Sequence, residues 1–87
     1  MAYEVEFEAQ VAKQLRDMQR ADLQRVMDRV KALADNPWPQ GSEKLAGVAN
    51  AWRTRSGNYR VVYTVDDRAQ VVTVTRVGHR REVYRRR

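Results

Sequence analysis

The chain has 87 residues, no cysteine and a formal net charge of +6. A chain of this length forms one domain with a modest core, and without cysteine it has neither disulfides nor a thiolate metal site. The apolar runs are only a few residues long and acids occupy the N-terminus, so the sequence indicates neither a membrane span nor a signal peptide. We therefore expect a single domain over residues 1–87 in a soluble, cytoplasmic protein.

Basic residues are concentrated in the second part of the chain. Residues 1–51 contain seven Lys or Arg and eight Asp or Glu, whereas residues 52–87 contain ten and three, and all ten are arginine. Arginine keeps its charge and grips phosphate through two donors, so this pattern favours phosphate or an acidic protein as the partner. A solvated surface that only keeps the protein soluble is the alternative.

The N-terminal part begins with a strand and continues with two helices. Apolar and acidic residues alternate over residues 3–7, as in a strand with one buried face. From Glu8 onward apolar residues recur at helical spacing, and a break between two helices is predicted at residues 19–22. The second helix ends at the Asn-Pro-Trp-Pro segment, residues 36–39, because proline cannot continue it, and a loop follows.

Three strands then form an antiparallel meander. The predicted strands are residues 52–56, 59–65 and 70–77, with close turns at residues 57–58 and 66–69. We therefore predict an α+β fold of the order β-α-α-β-β-β, with the helices packed on one face of the sheet.

Strand alternation predicts which side chains share a face of that sheet. The middle strand is apolar at every second position, which leaves Arg60 on the other side, and Arg53 and Arg55 share one side of the preceding strand. Arg80 and Arg81 are expected to arrive from the end of the neighbouring strand. Such a cluster holds a phosphodiester and stabilises charge that develops on it. Arginines that are merely solvated or paired with acids are the alternative.

Two residues near the C-terminus suit nucleic-acid chemistry. His79 is the only histidine and titrates near neutrality, and Tyr84 offers a hydroxyl or a ring that stacks on a base. A lone histidine is more often structural or simply exposed, so spacing alone does not assign it. One histidine and no cysteine argue against zinc, and the glycines do not form a phosphate loop. We expect no metal and no other cofactor.

Four segments that occur in order resemble the RelE/ParE superfamily of toxins from type II toxin–antitoxin pairs. They are KLAG (residues 44–47), WRTR (residues 52–55), GNYRVVY (residues 57–63) and VGHRREVY (residues 77–84). The resemblance covers nearly the whole chain and is nearest to the RelE branch. It implies the RelE-like fold, with the element order predicted above.

The resemblance also implies an activity and its partners. It implies a ribosome-dependent endoribonuclease that cuts messenger RNA in the ribosomal A site and inhibits translation. In this reaction the 2′-hydroxyl attacks the adjacent phosphate and leaves a cyclic phosphate, without a metal. A cognate RelB-like antitoxin is expected to neutralise the protein, which would reach operator DNA only through that antitoxin; no membrane partner is expected.

Residue roles are carried over by position. The resemblance assigns Arg60 and Arg80 to binding of the scissile phosphate, and Tyr84 to stacking on the substrate or orienting it. These retained residues favour the nuclease over two alternatives, a ParE-like inhibitor of DNA gyrase and a catalytically weak, antitoxin-binding subunit of a repressor complex. Further contacts with RNA are expected from Lys44, Arg76 and Arg81.

The resemblance does not identify the general base of the reaction. Arg53 and Arg55 stand where RelE enzymes have two lysines, one of them implicated in proton transfer. Arginine holds phosphate but is a poor general base near neutral pH. Either His79 supplies the proton transfer, or catalysis depends mainly on ribosomal positioning and charge stabilisation, with both arginines still members of the catalytic set.

Overall fold

In a computed structural model that describes residues 2–79, a mixed five-stranded sheet packs against two helices. The elements in chain order are β1 (Glu4–Phe7), α1 (Ala9–Arg16), α2 (Arg20–Asp35), β2 (Glu43–Lys44), β3 (Ala51–Ser56), β4 (Tyr59–Asp66) and β5 (Val71–His79). The sheet order is β1-β5-β4-β3-β2, with β1 parallel to β5 and the other neighbours antiparallel. Neither helix of the described chain has the length and apolar character that crossing a bilayer requires.

The predicted α+β architecture is confirmed, with two differences. The loop after α2 contains the two-residue strand β2, so the sheet has five strands where four were predicted; two residues are too few for alternation to be visible in a sequence. The break between the helices lies at residues 17–19 instead of 19–22. Gln19 is extended (φ −68°, ψ 153°), and its carbonyl accepts the first hydrogen bond of α2 from Leu23.

The core lies between the two helices and one face of the sheet. The helices contribute aliphatic residues at helical spacing and the strands contribute every second residue, each at most 4% exposed. Burying one such side chain stabilises the fold by roughly 1.5–3 kcal/mol. The core residues are Val11, Val26, Val30, Leu33, Val61, Tyr63, Val65, Val72, Val74 and Val77.

Tyr63 brings a hydroxyl group into this core. Its Oη donates to the carbonyl oxygen of Pro37 at 2.6 Å, which ties the segment after α2 to the middle of the sheet. Burial raises the pKa of Tyr63 to about 12, although a hydrogen bond with Ser42 and the charge of Arg29 oppose that shift. The phenol therefore stays protonated in the folded protein well above neutral pH.

α1 takes the place of a strand along the second half of β5. β1 pairs with β5 only as far as Val74. Beyond this point Gln10 Nε2 donates to the Thr75 carbonyl at 2.9 Å, and Gln14 Oε1 accepts from the Val77 amide at 2.7 Å. Because backbone groups at a strand edge need partners, two glutamines one helical turn apart bond to the edge that β1 leaves open.

A β-bulge interrupts the alternation of β5. Val62 of β4 pairs with Arg76, but the next residue of β4 pairs with Val74, so Thr75 is left between the two pairs. The Thr75 hydroxyl donates to the Val62 carbonyl at 3.2 Å. Because the bulge offsets the alternation by one residue, Val77 lies in the core and Arg76 lies on the sheet face away from the helices.

Candidate functional site

The sheet face away from the helices carries a group of arginines. Residues that stand directly opposite each other on neighbouring strands project to the same face. The register aligns Arg55 with Arg60, and it aligns Arg53, through Val62, with Arg76. We call this surface the arginine face, and its arginines are Arg53, Arg55, Arg60 and Arg76.

The hairpin between β3 and β4 fixes the relative positions of Arg55 and Arg60. Only Gly57 and Asn58 connect the two strands, and Gly57 has a φ of 61°. A two-residue turn with glycine at positive φ in its first central position matches the twist of the paired strands. Arg55 and Arg60 are therefore opposed one pair beyond the turn, at a strand spacing of about 5 Å.

A cavity of about 160 Å³ opens on the arginine face beside β2, β3 and β4. We call it the arginine cavity. The structure thus brings Arg53, Arg55 and Arg60 together, as the strand alternation predicted. Their guanidinium groups offer planar, paired donors, which is the geometry that binds a phosphate. The lining residues are Gly41, Glu43, Arg53, Thr54, Arg55 and Arg60.

Glu43 contributes a carboxylate to this cavity, and the sequence analysis did not identify it. Its Oε1 accepts from Arg53 Nε at 2.8 Å and lies 2.6 Å from Arg53 Nη2. β2 positions this ion pair, because Glu43 and Arg53 stand opposite each other in the register. The side chain of Glu43 remains 62% exposed and that of Arg53 30% exposed. One signal was present in the sequence, since Glu43 is the only acid among residues 36–65.

A turn before β2 leads the chain into the cavity. The Ser42 amide donates to the Pro39 carbonyl at 3.0 Å, and Gly41, the third residue of this turn, has a φ of 90°. A type II turn requires a positive φ at its third residue, and glycine adopts it without strain. The turn delivers Glu43 to the strand edge next to Arg53.

Three other predicted residues lie outside the arginine cavity. Arg76 is on the arginine face, one strand further along the sheet. Lys44 stands opposite Trp52, with its Nζ 5.4 Å from the centre of the Trp52 ring. His79 stands opposite Tyr59, whose ring packs on the core, and the two ring centres are 5.8 Å apart. Lys44 and His79 therefore lie on the helix side of the sheet, away from the arginine cavity.

The remaining predicted site residues, Arg80, Arg81 and Tyr84, lie outside the described residues, so their roles stay predictions. Between residues 2 and 79 no group of three or more His, Cys, Asp or Glu is arranged to hold a metal ion. The chemistry available in the described part of the site is therefore that of three guanidinium groups and one carboxylate.

Comparison with known proteins places this arrangement in a family. A family model described as the ParE toxin of the type II toxin–antitoxin system, parDE, matches residues 5–84. The chain is 29% identical over 90 residues to a putative toxin RelE1 of Methanocaldococcus jannaschii, covering 98% of each chain. It is 32% identical over 76 residues to toxin RelG of Mycobacterium tuberculosis, covering 77% of this chain and 87% of RelG.

Solved structures agree with the sequence relatives. The crystal structure of an archaeal RelE–RelB complex from Pyrococcus horikoshii matches with a TM-score of 0.82 and 29% identity, over 92% of this chain and 97% of that one. The match to the family model extends from β1 past the end of β5, so it includes both helices and every residue of the arginine cavity. The chain therefore belongs to the ParE toxin family of type II toxin–antitoxin systems.

Proposed function

We propose that this toxin is an endoribonuclease that cleaves messenger RNA on the ribosome. The observation that carries the proposal is the arginine cavity, in which three guanidinium groups meet on an open sheet face. Such a site has cations and hydrogen-bond donors for one phosphodiester, and its exposure suits a substrate presented by a larger particle. The RelE and RelG names of two relatives support the same activity.

The proposed reaction is attack of a 2′-hydroxyl on the adjacent phosphate, which leaves a cyclic phosphate and a free 5′-hydroxyl. The phosphate gains negative charge as it becomes five-coordinate. Arg53, Arg55 and Arg60 surround the cavity in which that charge would develop, and preorganised cations are an effective means of stabilising it. The proposed mechanism therefore uses the protein's own cations and no metal ion.

Residues outside the cavity have proposed roles in binding. We assign Arg80 to the scissile phosphate beside Arg60, and Tyr84 to the substrate base. Arg76 extends the arginine face by one strand and is suited to a neighbouring phosphate, as Arg81 is proposed to be. Lys44 is proposed to contact RNA beyond the arginine cavity, since it is exposed on the edge strand β2 and lies on the helix side of the sheet.

A cognate antitoxin is the proposed protein partner. A relative from Pyrococcus horikoshii has been solved as a RelE–RelB complex, and one from Mycobacterium tuberculosis as the toxin–antitoxin complex RelBE2. An acidic, RelB-like segment that covers the arginine face would neutralise this toxin, and operator DNA would be reached only through it. Because the substrate is on the ribosome, the proposed place of action is the cytoplasm.

Purified protein and programmed ribosomes provide the test. We expect cuts in the A-site codon that appear as new RNA 5′ ends, persist in EDTA and are absent when the same RNA is offered without ribosomes. Cleavage that requires a divalent metal would contradict the proposed mechanism. Absence of cleavage, together with inhibition of gyrase supercoiling in a parallel assay, would replace the proposed function with that of a gyrase inhibitor.

A further inference from the structure

The arginine cavity contains the cations that the proposed reaction needs, but cations do not remove the proton of the attacking 2′-hydroxyl. Arginine stays protonated at neutral pH and is a poor proton acceptor. His79, the base suggested by the sequence, contacts Tyr59 on the helix side of the sheet. Among the described residues that line the cavity, Glu43 is the one that carries a carboxylate.

We propose that Glu43 is the general base of this site. In the free protein its carboxylate holds Arg53; when the substrate phosphate takes over those donors, the carboxylate accepts the proton of the 2′-hydroxyl. This inference rests on the proposed ribonuclease function and adds the residue that the three arginines do not supply.

The exchange follows from the geometry of the ion pair. Glu43 engages Nε and Nη2 of Arg53, at 2.8 and 2.6 Å. These two donors form one edge of the guanidinium fork, the same kind of edge that binds two oxygens of a phosphate. Carboxylate and phosphate therefore compete for Arg53. Since the Glu43 side chain is 62% exposed, it can turn away from Arg53 without disturbing the core.

The displaced carboxylate remains next to the phosphate that displaced it, because β2 keeps the Glu43 backbone opposite Arg53. The 2′-hydroxyl lies on the ribose that carries the scissile phosphate, so its proton is within reach of a carboxylate at the cavity rim. In the step itself the O2′–H bond breaks and its proton moves to Glu43. The O2′–P bond forms, the P–O5′ bond breaks, and the departing O5′ takes a proton from water.

The first test is the single-turnover rate on programmed ribosomes at saturating protein. Glu43→Gln keeps the size of the side chain and removes the proton acceptor, and we expect the rate to fall on the order of 10²- to 10⁴-fold, the scale of one acid–base contribution. Glu43→Asp retains a carboxylate and is expected to recover part of this loss. Glu6→Gln, an exposed acid on the edge strand β1, is the matched control and is expected to cleave like the wild type.

Two further measurements separate a base from a residue that only holds Arg53. An RNA with a 2′-deoxy sugar at the scissile position is not cleaved, so it reports binding alone. Ribosomes that carry this RNA are expected to bind the Glu43→Gln variant as tightly as the wild type or more tightly, because the introduced amide competes with the phosphate for Arg53 less than the carboxylate does. In an Arg53→Ala background, Glu43→Gln is expected to lower the rate further, since proton transfer does not depend on the ion pair.

The possible results of these experiments test the base assignment and the ribonuclease function separately. Wild-type rates for Glu43→Gln, or a Glu43→Gln effect that disappears in the Arg53→Ala background, would overturn the base assignment and leave the proposed ribonuclease function intact. Weaker binding of the 2′-deoxy RNA by Glu43→Gln would overturn the exchange of carboxylate for phosphate. If the wild type itself does not cleave, the proposed function fails, and the role of Glu43 fails with it.

Discussion

In the proposed mechanism, different side chains of the arginine cavity bind the phosphate and accept the proton. A lysine at position 53 would offer Glu43 a single ammonium group, whereas the guanidinium of Arg53 gives it two donors in a fixed plane. The same fixed plane suits a phosphate. Arginines at positions 53 and 55 therefore favour tight, directional binding of an anion and leave the acceptance of a proton to another residue.

Arg60 is expected to be the most sensitive of the cavity arginines. It is half-buried and stands opposite Arg55 in the register, so its removal takes a preorganised cation from the middle of the site. We expect Arg60→Ala to lower the single-turnover rate on the ribosome by roughly 10²-fold or more and to leave the unfolding transition nearly unchanged. Arg25→Ala, on the exposed side of α2, is the control, and equal rates for the two variants would remove Arg60 from the site.

His79 gives a second prediction about a single side chain. Its imidazole contacts the Tyr59 ring on the helix side of the sheet, so we expect His79→Gln to change the saturated cleavage rate by less than about threefold, far below the effect of removing a general base. Single-turnover rates of the variant and the wild type on programmed ribosomes, measured over a series of pH values, check this. A loss of about 10²-fold would restore His79 as the base.

The buried phenol of Tyr63 predicts a stability effect at alkaline pH. Its pKa is raised to about 12 from an ordinary value near 10, so the folded state holds the proton more tightly than the unfolded state does. The resulting stability is fully present below about pH 10 and is lost as pH rises through 12. Tyr63→Phe is expected to lose about 1 kcal/mol at neutral pH with its hydrogen bond to Pro37.

Urea unfolding of wild type and Tyr63→Phe at several pH values measures this effect. Lysines and arginines titrate alike in the two proteins, so the difference between their curves isolates Tyr63. The variant is expected to lose less stability than the wild type between about pH 10 and 12. Parallel curves over that interval would show that the phenol ionises as easily in the folded protein as in the unfolded chain.

At the scale of elements, α1 supports the second half of β5. Gln10 and Gln14 bond to the backbone of β5 beyond the last residue of β1, and so hold the half of β5 that carries Arg76 and His79. Helical spacing predicted α1 from its apolar residues. It gave no reason to assign these two glutamines a structural role, because exposed glutamines are common on any helix.

Gln14 therefore gives a prediction for β5. Gln14→Ala removes the acceptor of the Val77 amide, and we expect the protein to lose roughly 1–3 kcal/mol of stability, the cost of an unsatisfied backbone donor. Hydrogen exchange at the Val77 amide is expected to accelerate more than at Val61 in the centre of the sheet. Gln24→Ala on the exposed side of α2 is the control, and an equal stability change in both variants would contradict the role of Gln14.

The elements that the sequence predicted and those that it did not differ in length and in regularity. The meander was predictable because β3, β4 and β5 alternate over six or more residues and are joined by short turns. β2 has two residues and no periodicity, so the position of Glu43 opposite Arg53 could not be predicted from the sequence. Nothing in the residue pattern indicates the bulge at Thr75, beyond which His79 lies on the helix side of the sheet.

Across residues 2–79, the arginine face and the exposed large apolar side chains occupy different regions. The arginine face is basic, whereas exposed large apolar side chains lie elsewhere: Phe7, Trp38 and Val48. Trp38 contacts Tyr3 and Trp52 edge to face, near the sheet end opposite the arginine cavity. The family was predicted from four short segments, of which WRTR and GNYRVVY carry the hairpin turn and three arginines of this face, and that prediction is confirmed.

This separation predicts different salt dependences for the two proposed partners. If the four arginines of the arginine face each contact a phosphate, a fourfold rise in salt weakens binding to the RNA-programmed ribosome on the order of 50-fold. Antitoxin affinity is expected to change less, because we propose that the antitoxin contacts apolar residues such as Trp38 in addition to the arginine face. Titrations of both partners over the same salt series check this, and an antitoxin affinity that falls as steeply as ribosome binding would refute it.

The bulge at Thr75 also bears on how the length of this gene can vary. Thr75 is the extra residue between two regular pairs, so its deletion would leave Val77 in the core and Arg76 on the arginine face, whereas the deletion of Thr73 from within the regular pairs would reverse the alternation on one side of it. Loops such as residues 45–50 carry no such constraint. We therefore expect insertions and deletions among homologous genes to accumulate in those loops and at the bulge, and the regularly paired stretch from Val71 to Val74 to keep a constant number of codons.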